Sequence, residues 1–145
     1  MATDAVVDSS VVVALVTLEE ESDWASKRMQ EYGYFHALDL SFYEVANALG
    51  NKVSNCLSAK DAAMAFKQAE NMMNLFSIHS FSEVITESLT KALELKISVY
   101  DAAFLSLANK LDTQLLTLDH KLAKKLEHTK YYRLIECPHK KTSGK

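Results

Sequence analysis

The chain is 145 residues long, 48% apolar and 24% charged, a length that buries roughly two-thirds of the unfolded surface and a composition that excludes a long disordered region. Its most apolar stretch, residues 11–18, falls far short of the roughly 20 residues of a membrane span, and Asp4 and Asp8 precede it without a Lys or Arg. Neither a transmembrane helix nor a signal peptide is expected, and the cytoplasm is the expected compartment. The net charge of −3 is unevenly divided: residues 120–145 carry +6, leaving −9 on the first 119. A basic end of this kind attracts phosphate backbones or is simply a solvated surface.

In chain order, Ala5-Val6-Val7 is a β-branched run that reads as a buried strand ending at Asp8, with a turn at Ser9-Ser10. Val11, Leu15 and Leu18 recur at helical spacing, and a second amphipathic helix is expected over 22–32, stopped by Gly33. Residues 34–38 read as a strand and 40–53 as a helix, with Phe42, Val45, Ala46 and Leu49 available to face a core. Ser58 followed by Asp61 has the form of a capping box opening a helix to about Asn74. A short strand at 76–79 and a helix over 82–95 come next, then Ser98 and Asp101 repeat the capping-box pattern ahead of an apolar helix to Leu111. Residues 113–118 read as a strand ending at Asp119, 121–127 as a short helix rich in Lys, and 131–135 as a last strand. Strands separated by helices predict an α/β fold with a short, mainly parallel sheet, one domain over 1–137, and a basic tail over 138–145 that lies outside it.

Asp8 and Asp119 fall at strand exits, where open α/β sheets bind ligands. Each has an ordinary reading as a helix N-cap, and Asp101 as the third residue of a capping box. Glu44 is different: it lies inside a helix whose neighbours at three and four residues on, Asn47 and Ala48, are small or polar, which suits either a solvent-facing residue or a directed ligand. Taken as a set, such carboxylates raise one another's pKa and are tolerated chiefly where a cation neutralises them. Oxygen ligands without Cys or spaced His select Mg²⁺ or Mn²⁺ over zinc.

Val6-Val7-Asp8-Ser9-Ser10, Tyr43-Glu44-Val45-Ala46-Asn47-Ala48-Leu49, Tyr100-Asp101-Ala102-Ala103 and Leu116-Thr117-Leu118-Asp119-His120-Lys121-Leu122 together resemble the ordered signature of PIN domains, and look most like the toxins of VapBC toxin–antitoxin pairs. The resemblance covers residues 4 to about 126. It implies a three-layer α/β/α nuclease that cuts RNA with Mg²⁺ or Mn²⁺. On this chain it makes Asp8, Glu44, Asp101 and Asp119 the metal-binding, catalytic acids, with Ser9 and Thr117 as supporting hydroxyls. It also implies a homodimer and an antitoxin whose C-terminal segment covers the site. Two departures stand out: His120-Lys121-Leu122 follows the fourth acid where some relatives carry a further acid, and no proline precedes the helix of Glu44.

Three other readings stay open at this stage: a catalytically silent PIN-like module that holds RNA or protein, a housekeeping RNA-processing nuclease, and a phosphoacceptor receiver domain. The five His residues show no metal spacing, and His120 is singled out only because it adjoins Asp119. A homodimer is also expected from the apolar helices around Trp24 and around residues 64–76.

Overall fold

The computed structural model describes residues 3–139, so all but the first two residues of the tail expected over 138–145 lie outside the described residues. Five strands, β1 (Asp4–Val7), β2 (Tyr34–Leu38), β3 (Ser77–His79), β4 (Gln114–Leu116) and β5 (Ile135–Glu136), form one sheet in the order β3-β2-β1-β4-β5. Every neighbouring pair is parallel. Among the described residues seven α-helices cover it: α1 (Ser9–Val16), α2 (Ser22–Met29), α3 (Leu40–Lys52), α4 (Ala59–Met73), α5 (Ile85–Leu95), α6 (Val99–Leu111) and α7 (His120–Leu126). None is long and apolar enough to cross a membrane among the described residues.

The central strand β1 explains the layering. Ala5, Val6 and Val7 are all fully buried because the pleat sends Ala5 and Val7 to one face and Val6 to the other. On the first face they meet Val11, Val45, Leu49, Ala65, Ala69 and Met73 of α1, α3 and α4. On the second, Val6 packs with Leu38, Leu115 and the α6 residues Phe104, Leu107 and Ala108. A third cluster joins α5, α6 and α7 through Ala92, Leu105, Leu122 and Leu126. Helices on both faces of a parallel sheet are the expected α/β/α architecture.

Several details differ from the sequence reading. The residues expected as a last strand from 131 form a 3₁₀ turn, Tyr132–Leu134, and only Ile135–Glu136 pair with β4. The turn drives Tyr131 and Leu134 into the third core cluster, burial that a two-residue edge strand cannot supply. The β4 strand ends at Leu116 rather than at 118, where its ladders with β1 and β5 both stop. Ala46 faces solvent, while Val45 and Leu49 carry the α3 core contact. At Ser58 and Ser98 the hydroxyl accepts the amide of Asp61 or Asp101. The reciprocal capping box is instead at Ser80 and Glu83, which open a 3₁₀ turn at Phe81–Glu83.

His36 and His79, on adjacent strands, pair through ring nitrogens 3.0 Å apart. Asp4 holds the other nitrogen of His36 at 2.9 Å and Glu83 that of His79 at 3.2 Å, a polar array that ties three strands together.

Candidate active site

The strand order reverses direction on either side of β1, and the crevice at the carboxyl ends of β1 and β4 is the switch point where such sheets bind ligands. An open cleft of about 450 Å³ lies there, and Asp8, Glu44, Asp101 and Asp119 all line it. They come from four different places in the fold: the exit of β1, the second turn of α3, the first turn of α6 and the N-cap of α7. Residues as far apart in sequence as 8 and 119 therefore share one pocket.

Asp8 is the most deeply set of the four. Its Oδ1 accepts the amides of Ser10 at 3.0 Å and Val11 at 3.4 Å as well as the Ser10 hydroxyl, so it does cap α1. Ser10 Oγ in turn accepts the Leu118 amide at 2.9 Å, stitching the exit of β4 to the exit of β1. Thr117 is fully buried; its hydroxyl accepts the Asp119 amide at 3.0 Å and also favours the charged form of Asp8. Asp119 caps α7 by accepting the Leu122 amide at 3.0 Å. Ser9 donates to Glu44 Oε1 at 2.6 Å, fixing that side chain across the gap between α1 and α3. Capping does not take Asp8 and Asp119 out of the cleft: each spends Oδ1 on its helix and still lines the pocket.

Electrostatically the acids sense their surroundings and one another. Burial pushes the Asp8 carboxyl up to about 6, against hydrogen bonds from Ser10, Thr117 and Val11 that favour its charge. Glu44 is raised by burial and then by the charge of Asp101, with Ser9 opposing. Asp101 is raised by burial and then by Asp119, with Ser98 and Lys125 opposing. Beside them, burial and the charges of Glu21, Asp8 and Asp119 push the Cys137 thiol up to about 12.

Other residues of the cleft had no advance signal or a weak one. Glu19 and Glu21, on the turn between α1 and α2, line it, as does Lys52 at the end of α3. Lys52 was legible in principle, since Glu44, Ala48 and Lys52 recur every four residues on one helix face. His120 lies at the edge, its Nε2 2.8 Å from Glu21 Oε2 and its Nδ1 3.6 Å from Cys137 Sγ.

Among the described residues no three His, Cys, Asp or Glu side chains converge into a ready-made metal cage. Like charges stand apart when nothing neutralises them, and helix amides and Ser9 hold three of the carboxylates from behind. The donor set itself fits a hard divalent cation. It is all oxygen, partly desolvated, and Glu44 Oε2 and Asp119 Oδ2 have no hydrogen bond among the described residues.

The chain belongs to the PIN-domain family, whose model matches residues 5–126. More particularly, it is 37% identical over 121 residues to Ribonuclease VapC3 of Pyrobaculum aerophilum, an alignment spanning 83% of this chain and 92% of that relative. The crystal structure of PAE2754 from Pyrobaculum aerophilum superposes with a TM-score of 0.65 at 25% identity, over 86% of this chain and 81% of its own. A toxin–antitoxin complex from Klebsiella pneumoniae gives 0.68 at 17% identity, over 93% of this chain and 98% of its own, a likeness of fold.

Proposed function

We propose that the protein is a divalent-metal-dependent ribonuclease, the toxin of a toxin–antitoxin pair, with Asp8, Glu44, Asp101 and Asp119 as its metal-binding and catalytic acids. The observation that carries this is the gathering of four carboxylates from four elements at the sheet's switch point, three of them with raised pKa. A relative named as a ribonuclease supplies the substrate class. A scaffold that only held RNA would gain nothing from this concentration of negative charge.

When bound, Mg²⁺ or Mn²⁺ supplies an activated water and braces the charge that develops on the phosphodiester. The protein's part is to hold and aim. Ser9 keeps Glu44 turned into the cleft, Ser10 and Thr117 lock the exits of β1 and β4 together, and the N-terminus of α1 favours ionised Asp8. The basic residues Lys121, Lys124 and Lys125 lie on α7, the helix that Asp119 caps, and attract a polyanion.

Partners follow from charge and from exposed apolar surface. An antitoxin segment bearing an Arg fits the acidic cleft, and a likeness in fold to a toxin–antitoxin complex supports such a partner. For the homodimer, the expected surface around Trp24 and residues 64–76 is divided: Ala65, Ala69 and Met73 are buried, while Met64 and Leu75 are exposed. A more regular exposed apolar stripe lies on α5, where Ile85, Leu89 and Leu93 recur every four residues beside exposed Phe81 and Tyr100. A two-fold pairing of α5 with its copy covers this stripe.

The test is cleavage of a labelled single-stranded RNA with Mg²⁺, Mn²⁺ or EDTA. Cleavage with either metal that stops in EDTA supports the reading; undiminished cleavage in EDTA, or none under any condition, contradicts it.

A further inference from the structure

Six carboxylates line the cleft (Asp8, Glu19, Glu21, Glu44, Asp101 and Asp119), and Lys52 is its one cationic lining residue among the described residues. Glu44 and Lys52 lie eight residues apart on the same face of α3, a rise of about 12 Å along the helix. Glu44 therefore lies toward one end of this face and Lys52, with Glu19 beside it, toward the other, with Ala48 between them. Ala48 is too small to block the path.

Lys52 is already engaged. Its Nζ lies 3.1 Å from Glu19 Oε2, and both side chains remain about 29% exposed. Glu19 is presented by a turn that is itself tightly bonded: Thr17 Oγ1 donates to the same Oε2 at 2.7 Å, and the Glu19 amide donates to Ser22 Oγ at 2.9 Å. Ser22 Oγ donates in turn to the Thr17 carbonyl at 3.1 Å. A carboxylate oxygen is thus held where a phosphate oxygen can meet Lys52. An ion pair this exposed contributes little to stability, which leaves it free to exchange partners.

We infer that Lys52 binds a backbone phosphate of the RNA beside the one that is cut, and that Glu19 is its stand-in, holding the ammonium until the phosphate displaces it. The inference rests on the ribonuclease reading and assigns a phosphate-binding residue to it. It accounts for the placement of one lysine among six acids. Repulsion along the cleft opposes RNA entry, and a cation released only to an incoming phosphate offsets that repulsion at a defined distance from the acids, which sets the register of the strand.

The experiment is anisotropy of a fluorescent single-stranded RNA in EDTA across a salt series. It compares the native chain with Lys52→Gln, Lys52→Arg, Glu19→Gln and the double Lys52→Gln/Glu19→Gln. Lys67→Gln on α4 serves as control, because Lys67 makes a similar pair with Glu70 outside the cleft. Thermal melts of each variant check the fold. Lys52→Gln should weaken binding about five-fold and make the salt slope shallower by about 0.7, the loss of one single-strand phosphate contact. Lys52→Arg should retain both. Glu19→Gln should tighten binding, and that gain should vanish in the double variant. A structural pair predicts the opposite pattern, with Glu19→Gln and Lys52→Gln harming alike. That result, or a Lys52→Gln effect no larger than that of Lys67→Gln, overturns the assignment. If the native chain cleaves RNA with metal while all variants bind equally, the Lys52 assignment alone falls; if it neither cleaves nor binds RNA, both readings fall.

Discussion

Burial raises Asp8 to about 6 although four groups donate to its carboxylate or favour its charge, so removal from water outweighs the hydrogen bonds around it. The consequence for stability has a definite sign. A carboxyl at 3.8 in the unfolded chain and about 6 in the folded one binds its proton more tightly when folded. Its contribution is therefore fully present below pH 3.8 and is lost as pH rises toward and through 6, a loss of ~3 kcal/mol at neutral pH. Glu44 and Asp101 shift in the same direction. In chelator, Asp8→Asn should be more stable than the native chain at pH 7 and should lose that advantage toward pH 4, since Asn keeps the cap acceptor without the charge. Paired denaturant melts at the two pH values measure this, and a difference independent of pH would mean that Asp8 is ordinary in the fold. The residue scale is also where the sequence was least legible. Asp8, Glu44, Asp101 and Asp119 stood out through family order, yet the partner groups Ser10, Glu19 and Glu21 did not, because their place depends on how loops from separate elements meet.

At the scale of elements the sequence was read well wherever one local signal decided the outcome. The continuous apolar run of β1 and the Ser58 and Ser98 caps placed their elements, because β-branched runs and hydroxyl caps act over a few residues. It was read less well where a tertiary contact decided. Tyr131-Tyr132-Arg133-Leu134 has the composition of a strand, but the Leu134 amide donates to the Tyr131 carbonyl at 2.9 Å and the segment turns inward. The two Ser caps make a matched test of the site. Ser58→Ala and Ser98→Ala each remove a hydroxyl that accepts a third-residue amide at 3.0 Å, so each should cost about 1 kcal/mol by denaturant melt. Only Ser98→Ala should also reduce RNA cleavage, because its helix starts in the cleft and carries Asp101 in the first turn. Equal losses of cleavage in the two would show that the effect is general destabilisation.

The whole molecule is organised around its charge. A chain with −9 over its first 119 residues and +6 beyond gathers acids in the cleft and places the lysines of α7 on the helix that Asp119 caps. A cation that binds only the folded state should raise the melting temperature, by RT ln(1 + [L]/Kd) in free energy. A thermal-shift series in Mg²⁺ and Mn²⁺ that shows no rise would contradict a metal site. Across the α5 stripe, Leu89→Glu should convert a dimer to a monomer by light scattering while leaving the melt of the monomer nearly unchanged, since Leu89 is 52% exposed. A native chain that is already monomeric at micromolar concentration would contradict the dimer.

The central claim, that the four acids hold a metal and cut RNA, is tested most directly at Asp119. Asn can accept the Leu122 amide as Asp119 Oδ1 does, so Asp119→Asn removes a charge from the cleft and leaves the α7 cap in place. Cleavage of single-stranded RNA in Mg²⁺ or Mn²⁺ should fall by orders of magnitude while the melt in chelator stays the same or rises slightly as repulsion with Asp101 is relieved. Undiminished cleavage by Asp119→Asn would contradict the account, and a collapse of the metal-free fold would show that Asp119 serves the helix rather than the reaction.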